Sequence, residues 1–247
     1  FEGNKSDFRC GLSENSGSGL YNSGSSPVIR DTVFHADLYT SMDPSGSMAL
    51  AHGTEIFNSG GSPRFESVTV DGAAAGLSSV VENASSSATY VNSSFTRCTA
   101  GHVFLDTGTP STVIQSTFAE NGSPNAWITA VTGTTFLNTL IVRDASNEVA
   151  FSGSPTTQNV WNYLTNGLGA QPNPLVSPLP DANGDGIPEY LLVQDDTSLA
   201  FNHGDDAAIT AAGLDWASLT TSETGCRDAS PVDIGRHYAT PSTLTCN

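Results

Sequence analysis

Basic residues are scarce. The 247-residue chain holds 8 Lys and Arg against 25 Asp and Glu, a formal net charge of −17, and Lys5 is its only lysine. A surface of this sign repels phosphate backbones and anionic lipid, which argues against nucleic-acid partners and membrane-surface binding and suits solubility in salty water. Apolar runs are short, none approaching the roughly 18 residues of a membrane span, so membrane insertion is not expected. Long helix-period segments are lacking as well. Cys-x-x-Cys is missing, so the four cysteines, Cys10, Cys98, Cys226 and Cys246, do not suggest a zinc or redox site. They permit three pairings into two disulfides, and such usage fits an extracellular or cell-surface protein. The chain begins at Phe1 without a methionine or signal peptide, as a processed product or an excised fragment would. Asn4, Asn83, Asn92 and Asn121 each begin an Asn-x-Ser sequon, but in so Ser- and Asn-rich a chain these triplets carry no weight.

What is abundant points one way. With 13% of residues charged, 37% hydrophobic and much Gly, Ser, Thr and Asn, the composition suits short strands joined by tight turns. The segments "SPVIRDTVF", "SPRFESVTV", "ATYVNSSF", "STVIQSTF" and "GTTFLNTLI" align Ile29, Phe65, Tyr90, Val113 and Phe136 in one column. Five residues on stands a second column, Phe34, Val70, Phe95, Phe118 and Ile141, and a weaker sixth copy, "QNVWNYL", places Leu164 after Ile141. The spacing is 36 residues, then 25, then 23 twice. Strands too short to bury a face alone, repeating at this period, predict a solenoid whose laps cover one another.

Between the apolar columns lie small residues (Thr32, Ser93, Ser116 and Thr139, with Val68 as the exception), and just before them a polar column of Asp31, Ser67, Asn92, Gln115 and Asn138. Side chains stacked at the roughly 4.8 Å spacing of neighbouring strands predict a hydrogen-bonded ladder at a corner. The pattern resembles the right-handed parallel β-helix proteins of the pectate-lyase-like class, over about residues 15–166. The resemblance implies an all-β, right-handed parallel β-helix of about six coils. The long first interval implies an excursion at "HADLYTSMDPSGSMALAHG" (35–53), a candidate lid or contact surface.

After "NGLGAQPNPLVSPLP" (166–180) the period fails, which divides the chain into a β-helix (1–166) and a C-terminal region (167–247). There "DANGDGIPEYLLV" sets Asp181, Asn183, Asp185, the carbonyl of Ile187 and Glu189 at alternate positions around Gly186, the oxygen spacing a calcium ion requires. The loop is similar to the calcium loop of integrin-type FG-GAP repeats, with "YLLV" as the hydrophobic strand that follows. Leu192 stands where an EF-hand has its bidentate Glu. His203, Asp205 and Asp206 cluster in "FNHGDDAAI", read as a polar loop ahead of a strand or turn around Ile209. "SPVDIGRHY" (230–238) resembles the closing motif of secreted bacterial β-solenoids and implies a cap over the last coil. With that cap, Cys226 is expected to pair with Cys246 and Cys10 with Cys98.

Many β-helix proteins cleave polysaccharides, yet the residues here lend that little support. A lyase needs a base beside a uronate; Lys5 lies outside the repeats, and Arg97, Glu120 and Arg143 form one column, read first as a charge ladder and second as a glycan-contact face. Polygalacturonase-like signatures and a column of paired acids are absent, and the threonines look too scattered for an ice-binding array. The expected role is a non-catalytic structural or adhesive one, stabilised by calcium, with self-association into a fibre or surface layer, or an extracellular glycan, as partner. The alternative is a lyase, or another carbohydrate-active enzyme, acting on acidic glycans.

Overall fold

The computed structural model describes residues 5–7, 19–35, 38–40, 53–75, 79–122, 126–143, 149–164, 173–175, 181, 187–194, 198, 200–215, 219–222 and 230–239. The repeat folds as an all-β parallel solenoid with three faces. Leu20–Ser23, Ile56–Ser59, Ser79–Ala84, His102–Thr107, Ala126–Ala130 and Val149–Gly153 stack into the first face. Val28–Arg30, Arg64–Glu66, Thr89–Val91 and Thr112–Ile114 form the second, and Val33–His35, Thr69–Asp71, Ser94–Thr96 and Thr117–Ala119 the third. The longer strands Thr135–Arg143 and Thr156–Leu164 run through both. About four turns are closed, fewer than the six coils expected. The first lap leaves the stack after His35 and rejoins it near Gly53, and the last contributes strands without a further rung above it among the described residues.

The two apolar columns stand in register. Tyr90 pairs with Phe65 and Val113, and Phe95 with Val70 and Phe118. Their rings stack inside the prism, Phe65 on Tyr90 at 4.6 Å and Phe95 on Phe118 at 4.5 Å, with Phe104 edge-on to both stacks, a geometry that favours aromatic pairs beyond the area they bury. A third inward column, Leu20, Ile56, Val81, Phe104, Ile128 and Phe151, comes from the first face. The sixth repeat departs from expectation: Asn162, not Leu164, lies over Ile141, because the last lap is two residues shorter than those before it.

All three corners use left-handed backbone. Between the second and third faces, Asp31, Ser67, Asn92, Gln115, Asn138 and Asn159 have φ between 47° and 54°. Asn and Asp tolerate that conformation best among residues with a side chain. The small column follows at once, and its hydroxyls do more than save space: Ser93 Oγ donates to the Val91 carbonyl (3.1 Å) and accepts from the Val68 amide (3.3 Å). After the third face the corner holds Gly72, Arg97 and Glu120; after the first it holds Gly24, Gly60, Ser85 and Gly108. A second polar ladder lies within, Asn22 to Asn58 (3.4 Å) and Asn58 to Asn83 (2.9 Å), with Tyr90 Oη donating to Asn83 Oδ1 at 2.9 Å. On the next rung, buried Asp106 accepts from Ser111 and Thr134, and burial raises its carboxyl pKa.

Outside the prism, Lys5–Asp7 pairs in parallel with Leu38–Thr40, so the excursion carries a strand and the N-terminal segment joins it. Its other residues, 36–37 and 41–52, lie outside the described residues. No helix among the described residues is long and apolar enough to cross a membrane.

Candidate functional site

Strands of the second and third faces also turn side chains outward, and many of these are apolar. Val91, Ile114 and Leu137 pack against Ala212 and Leu214, while Ala119, Leu140, Val142 and Tyr163 pack against Tyr190, Leu192, Ala200 and Ile234. The described residues of the C-terminal region therefore lie along the flank of the stack, and residues 230–238 meet it there. The corner amides grip this region: Gln115 Nε2 lies 2.6 Å from the Asp233 carbonyl, 2.7 Å from that of Gly235 and 2.9 Å from His237 Nδ1. Asn92 donates to the His237 carbonyl (2.8 Å) and accepts from its amide (2.7 Å); Asn138 makes the same paired contact with Asp205 at 3.1 and 2.9 Å. The ladder is thereby interrupted between Asn92 and Gln115, although Asn92 still donates to Ser67 (3.2 Å) and Asn138 to Gln115 (3.1 Å).

Between this arm and the third face lies a cleft of about 410 Å³. Arg236 spans it, Nη1 donating to the buried hydroxyls of Thr69 and Ser94, its guanidinium 5.1 Å from the centre of the Tyr238 ring. Its amide donates to Thr117 Oγ1 at 2.8 Å, and the Tyr190 amide donates to Tyr238 Oη at 2.8 Å, fixing both sides of the arm. Asp31 and Val33 at the first coil, and Ile187, Glu189 and His237 on the arm, also line the cleft.

The Arg97, Glu120 and Arg143 column is placed at the outer corner, but each member is engaged within the chain. Arg97 forms a two-pronged contact with buried Asp71, which also accepts from Thr96 (2.9 Å) and lies 2.8 Å from His35 Nδ1. That carboxylate raises the Arg97 pKa above its ordinary value. Glu120 accepts from Tyr190 Oη at 2.9 Å, and burial together with this carboxylate raises the Tyr190 pKa. Arg143 donates to Asn162 Oδ1 at 2.8 Å.

Of the five calcium-loop positions, Asn183 and Asp185 lie outside the described residues; Asp181 is exposed, whereas Ile187 and Glu189 are buried against the stack. Among the described residues no group of three or more His, Cys, Asp or Glu side chains converges as a metal site. The hydrophobic strand expected after the loop is reduced to one antiparallel bridge, Leu192 with Leu175. Asp205 caps a six-residue helix, Asp206–Ala211, through the Ala207 amide at 2.9 Å, and Asp206 accepts from Val232 at 2.9 Å. His203 lies edge-on to Trp161 at 6.2 Å. The cluster thus starts a helix and fastens it, where a loop before a strand or turn was expected.

Cys98 is a free, buried thiol that donates to the Thr96 carbonyl (3.2 Å), and burial raises its pKa. Its expected partner Cys10, like Cys226 and Cys246, lies outside the described residues. Asn83, Asn92 and Asn121 are buried and hydrogen-bonded, which removes them as glycosylation acceptors in the folded chain. Thr89, Thr112, Thr135 and Thr156 do fall in register on the second face, contrary to the scattered reading, but the adjoining Val91, Ile114 and Leu137 column is covered. No family model, curated protein or solved structure matches the chain.

Proposed function

We propose that this chain is a non-catalytic extracellular structural or adhesive solenoid whose C-terminal arm is stabilised by calcium. The supporting observation is the lateral clasp: backbone groups of Asp205, Asp233, Gly235 and His237 are held by the side-chain amides of Asn92, Gln115 and Asn138, so the arm ties three successive rungs together. Arg97, Glu120 and Arg143 are engaged by Asp71, Tyr190 and Asn162 in turn, contacts within the chain that count against a glycan-contact face at this corner. Calcium would be held by Asp181, Asn183, Asp185, the Ile187 carbonyl and Glu189, supplying the positive charge those oxygens need to converge. The last of these directly precedes Tyr190, which anchors the arm to Glu120 and Tyr238, so an ion there would tighten that anchor.

Two measurements test this reading. Calcium is expected to raise the melting temperature, an increment that EDTA removes and Asp185→Ala abolishes; equal melting with and without the ion would remove calcium from the account. Concentration-dependent assembly, or retention on cell surfaces, supports the structural role. The lyase reading draws on one grouping, His35 beside buried Asp71 and Arg97. Release of unsaturated ends from an acidic polysaccharide, lost in His35→Ala, would establish it and displace the non-catalytic one.

A further inference from the structure

We propose that the cleft under Arg236 binds an uncharged saccharide unit, the contact through which the adhesive role above would act; this inference rests on that role. The volume, about 410 Å³, falls within the usual 300–1,000 Å³ of small-ligand sites. The chemistry of the walls selects the class. Arg236 and Asp31 line the cleft with opposite charges, Glu189 being assigned above to the calcium loop, so the cleft offers donors and acceptors together and no net positive charge for a phosphate, sulfate or uronate. A wholly apolar ligand would leave the hydroxyls of Thr69 and Ser94 without water or a partner for their own protons. Each of those hydroxyls accepts from Arg236 and keeps one proton to donate, and a sugar hydroxyl, which both donates and accepts, answers groups of this kind.

The site is also rigid before any ligand arrives. Thr69 and Ser94 sit on adjacent strands of the stack, and Arg236 is fixed by both hydroxyls, by the Tyr238 ring and through its own amide. Little freedom is left to lose on binding. Val33 adds an apolar patch at the first coil for the carbon face of a ring.

The test is titration of the full chain with defined hexasaccharides of glucose, mannose and N-acetylglucosamine, with an oligogalacturonate as the acidic comparison, read by calorimetry. At least one neutral oligomer is expected to saturate. Asp31→Asn, which keeps a residue suited to the left-handed corner, is expected to weaken it at least tenfold, and Val33→Phe, which fills the cleft, to abolish it; both should melt like the parent. Absence of binding across the neutral set, tighter binding of the oligogalacturonate, or affinity unchanged in both variants would overturn the assignment. Surface retention is scored separately: saccharide binding without retention removes the adhesive role and leaves the cleft standing, whereas retention unaltered by Val33→Phe removes the cleft as the adhesive contact.

Discussion

The stack and the arm are held by opposite means. Within the stack every rung meets a near copy of itself one lap away, so Tyr90 lies between Phe65 and Val113 and Phe95 between Val70 and Phe118. The arm has no periodic partner. It reaches the stack through two small apolar clusters and through hydrogen bonds between distant positions, such as Asn92 with His237 or Gln115 with Gly235. Repetition gives the stack a stability that is a sum of similar neighbour terms, whereas the arm depends on a few clasps that can fail together.

The sharpest way to break this contrast is to remove a ring from the prism. Phe95→Ala empties a site stacked on Phe118 and edge-on to Tyr90 and Phe104, and is expected to cost about 3–5 kcal/mol of global stability by chemical denaturation. Stack and arm should unfold together. Gln115→Ala acts on the clasp instead. It removes contacts to Asp233, Gly235 and His237, costing about 3 kcal/mol, most of it in docking of the arm. Hydrogen exchange should show residues 187–194 and 230–239 losing protection while residues 89–119 keep theirs. Equal loss across both regions would show that arm and stack are one cooperative unit. Tyr190→Phe removes only the hydroxyl given to Glu120, and is expected to cost about 1 kcal/mol, read as faster cleavage in the arm under limited proteolysis.

The same contrast governs what the sequence discloses. Tyr90, Val113 and Phe136 could be aligned because a solenoid repeats its environment, and the polar column from Asp31 to Asn138 announced its corner for that reason. The inner ladder through Asn22, Asn58, Asn83 and Asp106 left a signal too, in "YNSG", "FNSG", "ENAS" and "LDTG", but its residue types also suit exposed turns, which hides their burial. The register of Leu164 differs from expectation because a two-residue shortening of the last lap leaves no mark in so loose a copy. In the arm, no local pattern says that Val232–Tyr238 runs along the flank. That placement depends on Asn92, Gln115 and Asn138 having spare hydrogen-bonding capacity at a corner, a property of the folded stack. The cleft has no signature in the sequence for the same reason, since Thr69, Ser94 and Arg236 are brought together only by docking.

Acid offers the gentlest probe of the two regions. Glu66 lies on the second face between Arg64 and Arg30, and the contact with Arg64, followed by that with Arg30, holds its carboxyl below the usual range. A carboxylate with a depressed folded pKa contributes stability that is present above its unfolded value, near 4.5, and lost as pH falls through the folded one. Asp106 has the reverse sign: its raised pKa means the folded chain binds the proton more readily, so its contribution fades as pH rises from about 4 through the folded value. Arg30 is largely exposed and the Glu66 contacts are screened, so Glu66→Gln is expected to flatten the acid limb of the stability profile by less than about 1 kcal/mol. Because Arg64 also donates to the Ala212 carbonyl at the end of the arm's helix, freeing it from Glu66 should loosen that end slightly. A fall in amide protection at Ala212 below pH 4, removed in Glu66→Gln, would tie this surface pair to the clasp, whereas unchanged protection would confine it to the stack.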